Sequence, residues 1–144
     1  MTTAAKTNFG AELHMGASGG SLTKIAELIS VNPPKRTRGT IDVTTHDSPA
    51  GAMEFITEGI YDPGEVTGQI NYIAGSAGDD SMIAAVTDGV IRDFKMVAKA
   101  ATGTEELEFS GFVTNYGADE MPVTGKQVAS FSIKVRGPIT QAAV

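Results

Sequence analysis

His46, Asp47 and Ser48 stand side by side in the stretch TIDVTTHDSPAGAMEF. Nucleophilic hydrolysis uses these three side-chain types: a hydroxyl to attack, an imidazole to take its proton and a carboxylate to orient the imidazole. The spacing argues against that chemistry. Neighbours along an extended chain point to opposite faces, whereas a triad hydrogen-bonds in series with the imidazole in the middle. Asp47 and Ser48 ahead of Pro49 and Gly51 fit a turn, because short polar side chains bond their own backbone and open tight turns.

Other constellations are weaker. His14 and His46 are the only two histidines, far apart and without paired-ligand spacing, and cysteine is absent, so neither a metal site nor a thiolate nucleophile is expected. GASGGS lacks the Gly-Lys-Ser/Thr of a phosphate loop and reads as linker. The doublets Asp79/Asp80, Glu105/Glu106 and Asp119/Glu120 read as solvated carboxylates at a helix start and two turns. Lys35, Arg36 and Arg38 form a basic cluster with no aromatic interleaving. Pairing with carboxylates on another copy of this acidic chain suits it better than nucleic acid. No cofactor is expected.

The elements that would position these residues are mostly strands. The chain has 144 residues, enough for one domain, and 11 basic against 17 acidic residues give a net charge of −6, the reverse of a phosphate-gripping protein. No run reaches the roughly 20 apolar residues that span a bilayer, and no membrane binding is expected. Strict alternation marks VASFSIKVRG, with Ala129, Phe131, Ile133 and Val135 on one face and Ser130, Ser132, Lys134 and Arg136 on the other. EVTGQINYI alternates in the same way, as do Ile41 and Val43 against Asp42 and Thr44. A further strand is expected through Ile25, Leu28, Ile29 and Val31, with strands also in VIRDFKMVAKA and EELEFSGFVTNYG. One short helix is expected at about residues 80–88, opened by Asp79, Asp80 and Ser81, carrying Met82, Ile83 and Val86, and stopped by Gly89. The fold class is mainly β, an antiparallel sandwich or open barrel with one flanking helix. A single domain covers 1–144, with a flexible Gly/Ser-rich arm over 1–20 and a long hairpin over 35–59.

Taken in order, ELISVNPPKRTRGTIDVTTHDSPAGAMEFITEGIYDPGEVTGQINY, the acid-capped helix and FSGFVTNYGADEMPVTGKQVASFSIKVRGPIT resemble the major tail tube proteins of long-tailed bacteriophages with flexible tails. The resemblance runs from about Glu27 to Ile139. Its most specific parts are TIDVTTHDS followed by EFITEG and DPGEV, and the late GFVTNYG joined by a polar turn to a long alternating strand.

The resemblance implies a structural role rather than an enzyme. It implies hexameric rings that would stack head to tail into a tube in the virion tail, assembled in the bacterial host cytoplasm, with double-stranded DNA passing through without sticking. The tape measure protein, the tail terminator and the distal tail proteins are the other partners implied. The hairpin would pack on neighbouring copies through Lys35, Arg36, Arg38, His46, Asp47, Ser48, Pro49, Met53 and Phe55. Asp42, Glu65 and Glu108 are the acids expected to face the lumen, where carboxylates repel phosphate. The alternatives are a tail terminator, a tube subunit of a contractile injection machine, or a small hydrolase using His46 and Ser48.

Overall fold

The computed structural model describes residues 3–143. In chain order it contains β1 (Glu12–Ala17), β2 (Thr23–Lys24), β3 (Leu28–Asn32), β4 (Thr37–Asp42), β5 (Phe55–Asp62), β6 (Glu65–Asn71), α1 (Ala77–Asp88), β7 (Arg92–Lys99), β8 (Thr104–Ala118) and β9 (Val128–Ala143). Seven strands form one antiparallel sheet in the order β2-β1-β7-β8-β9-β6-β3, and β4 and β5 form a separate two-stranded sheet. The mainly β, open-barrel class with one helix expected from the alternation is what the chain adopts.

The alternation in β9 explains the core. Ala129, Phe131, Ile133 and Val135 are all buried on one face, joined by Val66 and Ile70 of β6, Leu13 and Met15 of β1, Met96 of β7 and Val113 of β8. Phe94 and Phe109 lie directly opposite each other in the β7–β8 ladder, and their rings stack with centroids 5.6 Å apart. Gly68 continues the inward face of β6 because nothing larger fits. A Cβ there would meet the Phe131 ring at 2.8 Å as well as the Ser30 carbonyl.

Chain connectivity forces the sheet to curl. β2 and β3 are its two outer strands, yet only Ile25, Ala26 and Glu27 separate them. From Lys24 to Leu28 the chain reaches at most about 14 Å, so the two rims of a seven-stranded sheet must come round to meet. They do: β1 touches β3, the Ile25 amide donates to the Leu13 carbonyl at 2.8 Å, and the Asn71 amide donates to the Glu27 carbonyl at 3.1 Å. Of the strand expected through Ile25, Leu28, Ile29 and Val31, only the part from Leu28 forms, as β3; Ile25 lies in the connection, and Glu27 at φ 57° makes the bend.

The flexible arm expected over residues 1–20 is corrected from Glu12 onward, while residues 3–10 are exposed and form no strand or helix. Leu13 is completely buried and Met15 nearly so, and β1 pairs with β7 from Glu12↔Val97 to Ala17↔Arg92. GASGGS is the turn leading to β2, with the Gly20 amide on the Ala17 carbonyl at 2.8 Å. A strand that faces the core needs only alternate apolar residues, so two of them sufficed where composition suggested a linker. Residues 1 and 2 lie outside the described residues.

The helix begins three residues before the expected start. Ser76 is the cap, its Oγ accepting from the Asp79 amide at 3.2 Å, and Gly89 closes the helix at φ 64° as expected. Met82 and Ala85 enter the core while Ile83, placed on the apolar stripe by the sequence, is 46% exposed. Glu105 and Glu106, read as a turn, lie within β8.

Candidate functional site

Among the described residues, two extended surfaces lack a partner inside the chain: the β4–β5 hairpin and the polar face of the seven-stranded sheet.

The hairpin stands apart from the barrel and buries none of its large apolar residues. Met53, Phe55, Ile56 and Ile60 are 52–79% exposed, and Ile41, Val43 and Tyr61 are exposed as well. The alternation of Ile41 and Val43 thus marks a strand face that this chain leaves open. The ladder runs from Asp42↔Phe55 to Thr37↔Asp62, with an irregularity between Arg38 and Thr40. Arg38 is engaged within the hairpin. Its guanidinium donates to the Glu58 carbonyl at 2.7 Å and lies over the Tyr61 ring at 5.3 Å. Lys35 and Arg36 are exposed in the segment entering β4.

At the hairpin tip, His46 and Asp47 form a turn, and Pro49–Gly51 is a single 3-10 turn. The Thr45 amide donates to Ser48 Oγ at 2.9 Å, the Ser48 amide returns a bond to the Thr45 carbonyl at 3.1 Å, and the Asp47 amide reaches Thr45 Oγ1 at 3.3 Å. Ser48 Oγ is thus occupied with local backbone, and the three side chains do not bond in series. The turn reading of this motif matches the geometry.

The polar face carries charges in rows across the strands. Lys24, His14, Lys95, Glu108 and Thr140 lie in register on β2, β1, β7, β8 and β9, and Gly16, Asp93, Ser110 and Arg136 form the next row. Basic residues are largely tied down: Lys95 to Glu106 at 3.4 Å, Lys134 to Asp62 at 2.9 Å and Lys24 to Glu12 at 3.8 Å. Glu65, opposite Lys134 in the ladder, and Glu108 form no ion pair among the described residues. Asp42 does not share this face. It lies on β4 of the hairpin and accepts from the Thr44 amide at 2.9 Å, and the bonds from Thr44 lower its pKa. Asp42 thus lies on a different sheet from Glu65 and Glu108, which alternation alone could not say.

One constellation was missed by the sequence reading. Asp79, taken for a solvated helix-start carboxylate, is 5% exposed and accepts from Tyr116 Oη at 2.6 Å and from the Gly75 amide at 3.0 Å. Burial, then the adjacent carboxylate, raises the Tyr116 pKa above its ordinary value. The partner residue is 37 positions away, so no local pattern could have announced it. Among the described residues, no group of three or more His, Cys, Asp or Glu is placed to hold a metal ion, and no helix is long and apolar enough to cross a membrane.

Residues 8–141 match the family model described as Lambda phage tail tube protein, TTP. The chain belongs to that family. This tail tube protein is a structural subunit of a phage tail tube, and its place is the virion tail. No curated protein sequence matches it. Among solved structures, it is similar to the tail of an empty gene transfer agent (GTA) particle refined with C6 symmetry (TM-score 0.77, 17% identity, 96% of this chain and 100% of that one). It is also similar to the tail tube of SPP1 (0.63, 12%, 94% and 78%). A third likeness is to the sheath/tube terminator of the extracellular contractile injection system PVC (0.70, 14%, 96% and 97%). At these identities the likenesses establish a shared fold for the tail tube protein.

Proposed function

We propose that six copies of this tail tube protein form a ring, that rings stack head to tail, and that the β4–β5 hairpin is the arm by which each copy grips its neighbours. The observation that carries the proposal is the hairpin itself. An isolated two-stranded hairpin is marginal in water, and one that exposes Met53, Phe55, Ile56 and Ile60, with Phe55 and Ile56 on opposite faces, leaves apolar side chains open on both sides, as segments that make protein contacts do. Lys35 and Arg36 at its base, and His46, Asp47, Ser48 and Pro49 at its tip, extend the contact. The six-fold symmetry of the similar GTA tail supports the ring count.

The polar face of the seven-stranded sheet would line the bore. With Lys24, Lys95 and Lys134 held by carboxylates, Glu65, Glu108 and Asp93 outnumber Arg136 in these rows, so DNA would pass with little of the counterion release that makes a basic surface adhere. Catalysis has no place in this reading. The tape measure protein, the tail terminator and distal tail proteins are the further partners.

The test is deletion of residues 46–52. The product should fold as a monomer and fail to form tubes in negative-stain images at any concentration. Tubes of normal length from this variant would refute the role of the hairpin, and an unfolded product would refute its independence from the core. The likeness to a contractile-system terminator favours a second reading, a capping ring. Tube length separates the two, since a terminator stops at one ring.

A further inference from the structure

The helix α1 leaves one side of the barrel end open. It packs against β8, and among the described residues its backbone comes near no other strand. A groove of about 500 Å³ therefore runs between α1 and the β1–β2 edge. Its floor is the core itself, with Met15, Ile25 and Met82 each no more than 8% exposed. Two of these are methionines, which repack readily around an inserted group. The walls are small: Ala17 on one side, Gly78 and Ala84 on the other. Lys24 and Arg92 line the groove and no carboxylate does, Arg92 having its own partner in Asp88 outside the lining. Other grooves differ in this respect. The one over Phe94 and Arg136 is lined by Asp93 and Glu108, and the one beside Phe9 by Glu27.

We propose that the groove between α1 and the β1–β2 edge receives the distal end of another copy's β4–β5 hairpin, with Met53 and Phe55 entering it. The proposal rests on the reading of the hairpin as the assembly arm and adds the place where the arm docks. Among the described residues, β4 and β5 touch no other strand or helix of their own chain, and Met53 and Phe55 are 64% and 55% exposed. From Gly39 to Tyr61 the chain carries Asp42, Asp47, Glu54 and Glu58 and neither lysine nor arginine. A segment of that charge is opposed by a surface that is acidic overall, and least opposed at a groove lined by cations without acids. Arm and groove are different patches of one chain, so their contact is head to tail. Such a contact closes into a ring or continues as a helix instead of ending at a two-fold pair.

The absence of cysteine makes the contact testable by disulfide trapping on the full chain. Tubes assembled from an equal mixture of Ala52→Cys and Ala84→Cys chains and oxidised with diamide should give a covalent dimer on a non-reducing gel. The chain carrying both substitutions should give a ladder. Gly78→Leu, at a position where an added Cβ meets no neighbour, narrows the groove. It should raise the critical concentration for tube formation about tenfold or more, the equivalent of one apolar side chain left unburied, while the urea midpoint of the unassembled subunit stays the same or rises. Lys24→Glu, on an exposed side chain, should also weaken assembly, and more at low salt than at high. Tubes from Gly78→Leu at the wild-type concentration would overturn the proposal, as would tubes in which Ala52→Cys links to Ile29→Cys, in the groove beside Phe9, instead of to Ala84→Cys. Either result leaves the assembly arm standing. Normal tubes from the chain lacking residues 46–52 would refute the arm itself.

Discussion

Replacing Tyr116 with Phe isolates the bond that holds α1 to the barrel. The Tyr116 hydroxyl donates at 2.6 Å to Asp79, which is 5% exposed, and the other Asp79 oxygen is taken by the Gly75 amide. Hydrogen bonds to charged groups contribute about 1.5–3 kcal/mol, and a buried acceptor left unpaired costs a similar amount. Tyr116→Phe should therefore destabilise the subunit by about 2 kcal/mol, which for a chain of this size lowers the Tm by about 6 °C. Urea unfolding followed by circular dichroism, at a concentration below that of assembly, measures the change. A double-mutant cycle with Asp79→Ala should show coupling of about 1 kcal/mol or more. The chain has three tyrosines and no tryptophan, so phenolate absorbance gives an independent reading. The Tyr116 pKa is raised by burial and by the Asp79 carboxylate. Its stabilising neutral form is thus fully present below the ordinary tyrosine value near 10 and is lost as pH rises beyond it. The wild-type minus Tyr116→Phe difference titration should show an ionisation displaced well above that value. A loss under 0.5 kcal/mol, zero coupling, or a Tyr116 ionisation near 10 would each refute the reasoning.

Acid should weaken the subunit in a defined window. Asp88 is held at about 2 by the Arg92 guanidinium and the Val90 amide, and Asp62 is lowered by Lys134 and the Gly64 amide. Folded pKa values below the unfolded ones give stability that is complete above the ordinary carboxylate range and drains away as pH falls from about 4 towards 2, which urea midpoints across that range would reveal. In Arg92→Gln the Asp88 carboxyl should titrate at a higher pH by NMR. Gly68→Ala drives a methyl into the Phe131 ring and the Ser30 carbonyl and should destabilise by about 1–3 kcal/mol, again read from urea unfolding. Ile60→Asp, on a side chain 79% exposed, should leave monomer stability within about 0.5 kcal/mol while abolishing tubes in negative stain.

The parts of the fold that were legible from sequence were those where one side chain in two meets the core. β6 and the first part of β9, to Arg136, could be read residue by residue because period-two alternation is the direct imprint of a half-buried strand; the continuation of β9 to Ala143 was not. Gly89 announced the helix stop through its left-handed geometry. β1 was not legible, because Leu13 and Met15 are too few to outweigh the glycines that follow them. Nor could Ile41 and Val43 be distinguished from core residues, since an apolar face awaiting another chain has the same spelling as one already covered. Pairings such as Tyr116 with Asp79, or Asp62 with Lys134, are set by sheet register over long sequence distances, and register is not written in local pattern. The turn at His46–Ser48 was readable because its bonds are made within four residues.

The strap of Ile25, Ala26 and Glu27 gives each subunit a fixed girth. With the rims leashed to each other, the barrel cannot widen by peeling one margin away. Salt, temperature or cargo would have to break the Leu13–Ile25 and Glu27–Asn71 bonds first. The natural place to alter the girth of the subunit's own barrel is the strap, where each added residue would give about 3.3 Å of slack.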